Sequence, residues 1–154
     1  ERFYSSKDEI KIINELITLS NPQHDQSIIF LWPEGIVPDT NLKDIIIYES
    51  LFVNKFTKNH LIIMGINNQI NKDNKDLYYN SLAIFDNKLN SLDFYDKVNL
   101  VPFGEFVPFE NMFRFLSLKT ITNNYQSYSS GLNRKIINLK IKETNLALLP
   151  LICY

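Results

Sequence analysis

Residues 28–35 read IIFLWPEG, and this stretch determines the fold class that the sequence predicts. A continuous run of branched and aromatic residues, 28–32, is typical of a short strand buried on both faces. Pro33 ends the strand because it lacks the N–H group that a sheet ladder needs. Glu34 therefore lies directly beyond the carboxyl end of a predicted buried strand.

One helix is predicted before this strand in the sequence and another after it. The capping-box pattern SSKDE at residues 5–9 begins a helix that ends near Asn21. Its predicted apolar face carries Ile10, Ile13 and Ile17. A second helix is predicted over residues 41–58, and its inward face is formed by Leu42, Ile45, Ile46, Phe52, Val53 and Phe56.

The rest of the chain is predicted to be mainly strands and loops. Further strands are predicted at 61–66, 78–85, 91–95, 135–141 and 145–152. The segments between them are predicted as a polar loop (67–76), a turn (86–88), a structured loop constrained by Pro102, Gly104 and Pro108 (96–108), a short helix (109–117) and a further loop (118–134).

Buried strands that alternate with amphipathic helices predict an α/β layered fold, here as one domain over residues 1–154. Chemistry in such folds is found at the carboxyl ends of strands. Cys153 ends the last predicted strand, as Glu34 follows the first. The two residues are therefore candidates for one site.

Composition and charge restrict the class of protein. Of the 154 residues, 45% are hydrophobic, which is enough to form a buried core. The formal net charge of -1 argues against a nucleic-acid-binding protein. The single cysteine excludes an intrachain disulfide. We find neither an apolar run long enough for a membrane span nor a signal peptide, and both ends of the sequence are expected to be cut from a longer protein.

The candidate residues also have ordinary structural explanations. A lone cysteine such as Cys153 is more often a buried structural residue than a nucleophile. Glu34 alone would be a loop carboxylate, but partial desolvation beyond a strand would raise its pKa toward that of a general base. Lys97 lies between apolar residues in a constrained loop, where its charge could stabilise an oxyanion, and Glu105 could orient it or remain a surface acid.

No metal site or cofactor site is predicted. His24 and His60 lie far from other potential ligands in the sequence, and no glycine-rich phosphate loop is present. We therefore expect neither a metal ion nor a cofactor.

Four motifs carry a resemblance to a known family. They are WPEG (32–35), YNS (79–81), YDKVNLVPFGEFVPFE (95–110) and LLPLICY (148–154). In this order they resemble the carbon–nitrogen hydrolase (nitrilase) superfamily, and the string LVPFGEFVP resembles the apolipoprotein N-acyltransferase family within it. The resemblance implies a catalytic triad of Glu34, Lys97 and Cys153. Glu105 is implied as a further essential carboxylate and Tyr154 as the residue flanking the nucleophile.

The resemblance also implies a fold and an activity. The fold would be an α-β-β-α sandwich, incomplete here at both ends. The enzyme would move a fatty acyl chain from a phospholipid, through a cysteine thioester, to the N-terminal amine of a diacylglyceryl-cysteine apolipoprotein. Its location would be the bacterial inner membrane, attached through segments absent from this chain, with this domain facing the periplasm.

Two alternatives remain open from the sequence. The chain could belong to a soluble nitrilase-type amidase that hydrolyses a small amide, or it could be an inactive fragment. The apolar loop at 101–115, which contains Phe103, Phe106 and Phe109, is explained either by core packing or as a lid that meets acyl chains or the membrane surface. A lid would favour acyl transfer because it would keep water away from the thioester.

Overall fold

The computed structural model describes residues 6–108 and 127–152. Its helices are α1 (Ser6–Ser20) and, after a 3₁₀ helix at Ile45–Tyr48, the single-turn α2 (Glu49–Phe52). Its strands are β1 (Ile28–Leu31), β2 (His60–Lys72), β3 (Lys75–Phe85), β4 (Ser91–Asp96), β5 (Ile137–Ile141) and β6 (Thr144–Leu148). No helix of the described residues is both long and apolar enough to span a membrane.

The strands form two sheets. The larger sheet has the order β1-β2-β3-β4, in which β1 is parallel to β2 and the other neighbours are antiparallel. The smaller sheet is the antiparallel hairpin β5-β6. The predicted strands at 78–85, 91–95 and 135–141 are confirmed within a few residues, whereas the last strand ends at Leu148.

The two faces of the larger sheet are covered differently. On one face, Ile13 and Ile17 of α1 belong to a buried cluster with strand residues such as Phe30 and Ile62. On the other face, Ile63, Ile84 and Tyr95 form a second buried cluster that includes Ile137 and Leu139 of the hairpin. Burial of each large aliphatic side chain contributes roughly 1.5–3 kcal/mol.

The result is a helix–sheet–sheet arrangement. It corresponds to three consecutive layers of the predicted α-β-β-α sandwich, and the predicted α/β fold class of the nitrilase type is confirmed.

Helix α1 is confirmed, but its buried face is rotated from the predicted one. Ile10 is 45% exposed, so its predicted inward position is wrong. Glu9 is buried instead, and its carboxylate accepts hydrogen bonds from the Asp39 amide, the Thr40 hydroxyl and the Tyr48 hydroxyl. Such partners offset the cost of burying a carboxylate, so a charged residue can occupy the inner face. Burial and the hydrogen bond to Glu9 raise the pKa of Tyr48.

The long helix predicted at 41–58 is wrong. Only residues 45–52 are helical, first as the 3₁₀ helix and then as α2. Ile45, Phe52 and Phe56 are buried as predicted, but Ile46 and Val53 are exposed. A physical reason is the run of three isoleucines at 45–47, whose branched side chains restrict χ1 in a helix.

The polar loop predicted at 67–76 is also wrong, because these residues form a β-hairpin. Strand β2 continues to Lys72 and β3 begins at Lys75. The two residues between them, Asp73 and Asn74, have φ angles of 52° and 59°. Two positive φ angles are the signature of a type I′ turn, which matches the twist of antiparallel strands.

Strand β1 differs from the prediction in its burial. It lies at one edge of the larger sheet, and Leu31 is 73% exposed. The prediction of a strand buried on both faces is therefore wrong at Leu31. The structured loop at 96–108 is confirmed by the bridge between Pro102 and Phe106. The helix predicted at 109–117 lies outside the described residues.

The turn at Asp73-Asn74 generates a stability prediction. Asn74→Val should lower the free energy of unfolding by about 1–2 kcal/mol, because a branched residue is strained in the left-handed region. Asn74→Gly is the matched control and should retain or slightly increase stability, since glycine adopts this conformation without strain. Urea denaturation measures both. Equal midpoints for the two variants would contradict the type I′ turn.

Candidate active site

Glu34 is positioned by the end of β1 and by a glycine of β2. Beyond the end of β1, the Trp32 amide donates a hydrogen bond to the Ile63 carbonyl at 2.8 Å, so the chain continues alongside β2. A Cβ atom added at Gly65 would lie 2.9 Å from the Glu34 Cα atom, so only glycine permits this approach. Gly35 then turns the chain with a φ of 74°. Glu34 is thus held against Gly65 of the central strand.

Lys97 follows the end of β4 and is almost fully buried. Its residue exposure is 4%. Its amide donates to the Asn80 carbonyl at 2.8 Å, which extends the pairing with β3 by one step. Its ammonium Nζ lies 2.9 Å from both carboxylate oxygens of Glu105. Lys97 is therefore a buried, paired lysine and not a solvated surface charge.

Asn80 of β3 connects this ion pair to Glu34. Its side-chain Nδ2 donates to Glu34 Oε1 at 2.5 Å and to Glu105 Oε1 at 2.9 Å. Asn80 is 7% exposed, so these bonds form in a largely dehydrated environment. Glu34, Glu105 and Lys97 are consequently parts of one hydrogen-bonded cluster.

The loop between Lys97 and Glu105 is closed around the ion pair. Glu105 Oε2 accepts the Val101 amide at 2.9 Å, and the Glu105 amide donates to the Val101 carbonyl at 2.8 Å. Phe103 at the tip has a φ of 61°. The loop is thus a tight turn whose closing interactions involve the same carboxylate that pairs with Lys97.

The environment of Glu105 keeps it ionised. Burial alone would raise the pKa of its carboxyl, but the hydrogen bonds from Lys97, the Val101 amide and Asn80 outweigh burial and lower it. This result resolves the alternative left open by the sequence, because Glu105 orients Lys97 and is not a solvated surface acid.

Glu34 is exposed, so the expected desolvation of its carboxylate is wrong for the described residues. It lines two cavities. One, of about 130 Å³, also contacts Asn80 and Tyr128. The other, of about 400 Å³, is largely apolar and is lined by residues that include Leu31, Leu82 and Ile152.

Cys153 and Tyr154 lie outside the described residues. The last described residue, Ile152, lines the larger cavity together with Glu34. The chain therefore reaches the position just before Cys153 at the wall of this cavity. The convergence of the cysteine on Glu34 and Lys97 stays a prediction.

The two histidines have no role in the cluster. His60 is fully buried, where its ring bonds the Thr57 amide and the Gln23 carbonyl. In the part of the chain that the structure describes, no three His, Cys, Asp or Glu residues are grouped as metal ligands.

Sequence reasoning missed the roles of Asn80 and Gly65. Asn80 lies within the YNS motif, but a buried asparagine gives no indication of its partners until the strand register is known. A glycine inside the apolar run LIIMGI was a usable signal, because glycine in a strand often marks a close approach of another backbone.

The fold and this cluster together define an α/β domain that holds a buried ion pair beside an exposed carboxylate. No family model matches the chain. Its sequence is similar to apolipoprotein N-acyltransferases: 36% identical over 77 residues to that of Rhizobium rhizogenes, 40% over 76 residues to that of Rhodopseudomonas palustris, and 28% over 130 residues to that of Rhizobium leguminosarum. The predicted resemblance to this family is confirmed.

These similarities cover unequal shares of the proteins. The first two matches span 50% and 49% of this chain and 14% of each relative. The third spans 82% of this chain and 23% of the relative. The chain thus corresponds to less than a quarter of the length of these relatives.

Solved structures also align with most of the chain. The glutamine-dependent NAD⁺ synthetase of Acinetobacter baumannii covers 92% of it, at 16% identity and a TM-score of 0.47, with 24% of that protein aligned. The amidase of Nesterenkonia sp. AN1 covers 93%, at 11% identity and a TM-score of 0.46, with 50% of that protein aligned. The fold class rests on the layers described above.

The Lys97–Glu105 pair generates a pH-dependent prediction. Glu105→Gln should lower the free energy of unfolding at pH 7 by about 3–5 kcal/mol, because it replaces the charged carboxylate that contacts the buried Lys97 ammonium with a neutral amide. The folded-state pKa of Glu105 is lowered, so its stabilisation is complete above the unfolded pKa of about 4.3 and is lost as the pH falls through the folded value. The difference in the free energy of unfolding between wild type and Glu105→Gln should therefore become smaller below about pH 4.

Asp93→Asn is the matched control for this measurement. Asp93 pairs with Lys135, but the two side chains are 36% and 43% exposed. Its removal should cost less than about 1 kcal/mol, as for other exposed pairs. Urea denaturation between pH 3 and pH 7 measures both variants. A constant difference between wild type and Glu105→Gln over this range would be incompatible with the assigned ionisation.

Proposed function

We propose that this chain is part of the catalytic domain of an apolipoprotein N-acyltransferase. The enzyme transfers a fatty acyl chain from a phospholipid to the N-terminal amine of a diacylglyceryl-cysteine apolipoprotein, through a thioester on Cys153. Glu34 is the general base, Lys97 stabilises the oxyanion, and Glu105 and Tyr154 support the site. It would act at the bacterial inner membrane, with this domain in the periplasm and membrane segments outside this chain.

One observation carries the proposal: a buried Lys97–Glu105 pair is joined through Asn80 to an exposed carboxylate, Glu34, beside a cavity whose wall includes Ile152. Cysteine-based acyl transfer requires a cation, a proton acceptor and a cysteine nucleophile. Ile152 directly precedes Cys153 in the sequence. The motif positions of these residues support the same assignment.

The first half-reaction forms the thioester. Glu34 takes the thiol proton, and the Cys153 sulfur attacks the ester carbonyl carbon of the phospholipid. A carbon–sulfur bond forms while the carbonyl π electrons move to oxygen, where Lys97 stabilises the negative charge. Removal of one such donor typically costs about 100- to 1000-fold in rate. Collapse breaks the ester bond, and the departing lysophospholipid alkoxide receives the proton from Glu34.

The second half-reaction forms the amide. The amine of the acceptor attacks the thioester carbonyl, and Glu34 accepts the proton that the nitrogen loses. Collapse of this second oxyanion breaks the carbon–sulfur bond and releases the cysteine thiolate. The acyl group is then attached to nitrogen, and transfer of the proton from Glu34 to the sulfur restores the starting site.

The larger, apolar cavity beside Glu34 favours a long acyl chain as the substrate rather than a small amide. Its lining includes Leu31 and Leu151, which are 73% and 82% exposed. Apolar side chains exposed around a cavity are favourable contacts for a hydrocarbon chain, whereas a small polar amide would gain little from them.

The thioester is the first prediction of this proposal. The complete enzyme, incubated with phospholipid and no lipoprotein, should gain the mass of a fatty acyl group on Cys153. Addition of a diacylglyceryl-cysteine peptide should remove that mass. Intact-protein mass spectrometry measures both changes, and Cys153→Ala is the control that should show neither. Ammonia release from small amides without a fatty-acyl adduct would replace this proposal with an amidase.

Asn80 provides a second prediction. Asn80→Asp places a third carboxylate beside Glu34 and Glu105. Like charge disfavours ionisation, so the acid limb of the rate–pH profile should move upward by about one pH unit. The measurement is acyl transfer by the complete enzyme across pH.

Asn68→Asp is the matched control. Asn68 is also 7% exposed and also donates to a carboxylate, at 3.1 Å to Asp96. Asn67 pairs with Asn80 in the sheet, so its neighbour Asn68 faces the opposite side. The control should lose stability but keep its pH profile. A shift of equal size in both variants would exclude a specific role for Asn80.

A further inference from the structure

A polar cleft lies on the other side of Glu34 from the apolar cavity. The three spaces follow one another along β2. Met64 and Gly65 line the apolar cavity, and Gly65 and Asn67 line the small cavity at Glu34. Asn67 and Gln69 line the cleft. The cleft has a volume of about 340 Å³. Glu34 therefore lies between an apolar space and a polar one.

The walls of the cleft are rich in amide and phenol groups. Gln69 donates to the Tyr78 hydroxyl at 3.0 Å, and the Tyr128 hydroxyl donates to Asn67 Oδ1 at 2.8 Å. Asn67 in turn donates to the Pro38 carbonyl at 2.9 Å. These bonds hold the side chains in fixed positions. Amide groups offer both donors and acceptors, as the groups of a peptide backbone do.

The charge of the cleft excludes an anionic occupant. Its described lining contains one carboxylate, Asp39, and no lysine or arginine. The adjoining cavity adds a second carboxylate, Glu34. Phosphate groups are recognised by arginine, lysine and backbone N–H groups, and two carboxylates would repel them. The same carboxylates attract an ammonium group.

We propose that this cleft binds the N-terminal peptide of the acceptor and directs its α-amine toward Glu34. The inference rests on the proposed acyl transfer and adds the location of the second substrate. From Gly65 to Gln69, β2 covers about 13 Å, the length of about four extended residues. The cleft thus receives the first few residues of the acceptor in an extended form, while the acyl chain occupies the apolar cavity.

The connection between the cleft and the reacting groups is direct. Pro38, Asn67 and Tyr128 line both the cleft and the small cavity at Glu34. An amine that enters along these shared walls approaches Glu34 from the polar side. The thioester chain leaves from the apolar side. The two substrates therefore do not compete for the same space.

The experiment separates the two half-reactions in the complete enzyme. Gln69→Leu removes a side-chain amide from the cleft. Asn71→Leu is the matched control, because it removes a side-chain amide from the same face of β2, two residues further along and outside the cleft. Thioester formation is followed with phospholipid alone, and thioester discharge is followed with increasing concentrations of a diacylglyceryl-cysteine peptide. Gln69→Leu should raise the peptide concentration for half-maximal discharge about tenfold and leave thioester formation unchanged, and Asn71→Leu should change neither.

Tyr78→Phe is a second variant, in case Gln69→Leu does not fold. It removes only the hydroxyl that accepts the Gln69 hydrogen bond, and it should raise the half-maximal peptide concentration about two- to fivefold.

Two results would overturn the inference. Slower thioester formation in the cleft variants would assign the cleft to the phospholipid head group. Unchanged discharge would mean that the acceptor binds elsewhere, while acyl transfer itself would stand. Absence of a thioester in the wild type is a different outcome, because it removes the proposed function.

Discussion

A lysine ammonium held inside the protein is the constraint on which the site depends. Removing Lys97 from water costs several kcal/mol unless a counter-charge and further hydrogen bonds compensate. Glu105 supplies both of its oxygens to the ammonium, and the loop must fold back so that it can do so. The same residue then accepts the Val101 amide through its side chain and the Tyr128 amide through its carbonyl. Two separate segments of the chain are thus held at the residue that pairs with the buried ammonium.

The strand register brings the remaining groups to this charge. Lys97 and Asn80 meet because the ladder between β3 and β4 continues to the Lys97 amide. Asn80 and Gly65 share a face of the sheet because Gly65 pairs with Leu82, two residues from Asn80. Glu34 reaches the same face where β1 ends beside β2. A shift of one residue in the β2-β3 register would turn Asn80 away from both carboxylates.

Sequence patterns predicted some features of this arrangement and not others. The carboxyl end of β1 and the Pro/Gly-constrained loop were predictable, because apolar runs and proline act locally. The 41–58 helix failed because its isoleucine run disfavours a long helix and because Asn41 bridges to Asn67. The 67–76 loop failed because tertiary pairing overrode local preference and kept the polar strands paired up to Lys72. Burial of Glu9 was hidden for the same reason. Its three partners are 30 to 39 residues away in the chain.

The two carboxylates of the cluster have environments suited to different tasks. Glu105 is enclosed, bonded to an ammonium, an amide N–H and a side-chain amide, and its pKa is lowered, so it remains a fixed negative charge. Glu34 shares Asn80 with it but is exposed beside two cavities, where a proton can enter and leave. Proton transfer requires a group that can change its charge, whereas orientation of a cation requires one that does not. The division between the proposed base and the residue that holds Lys97 therefore follows from burial, although both side chains are glutamates.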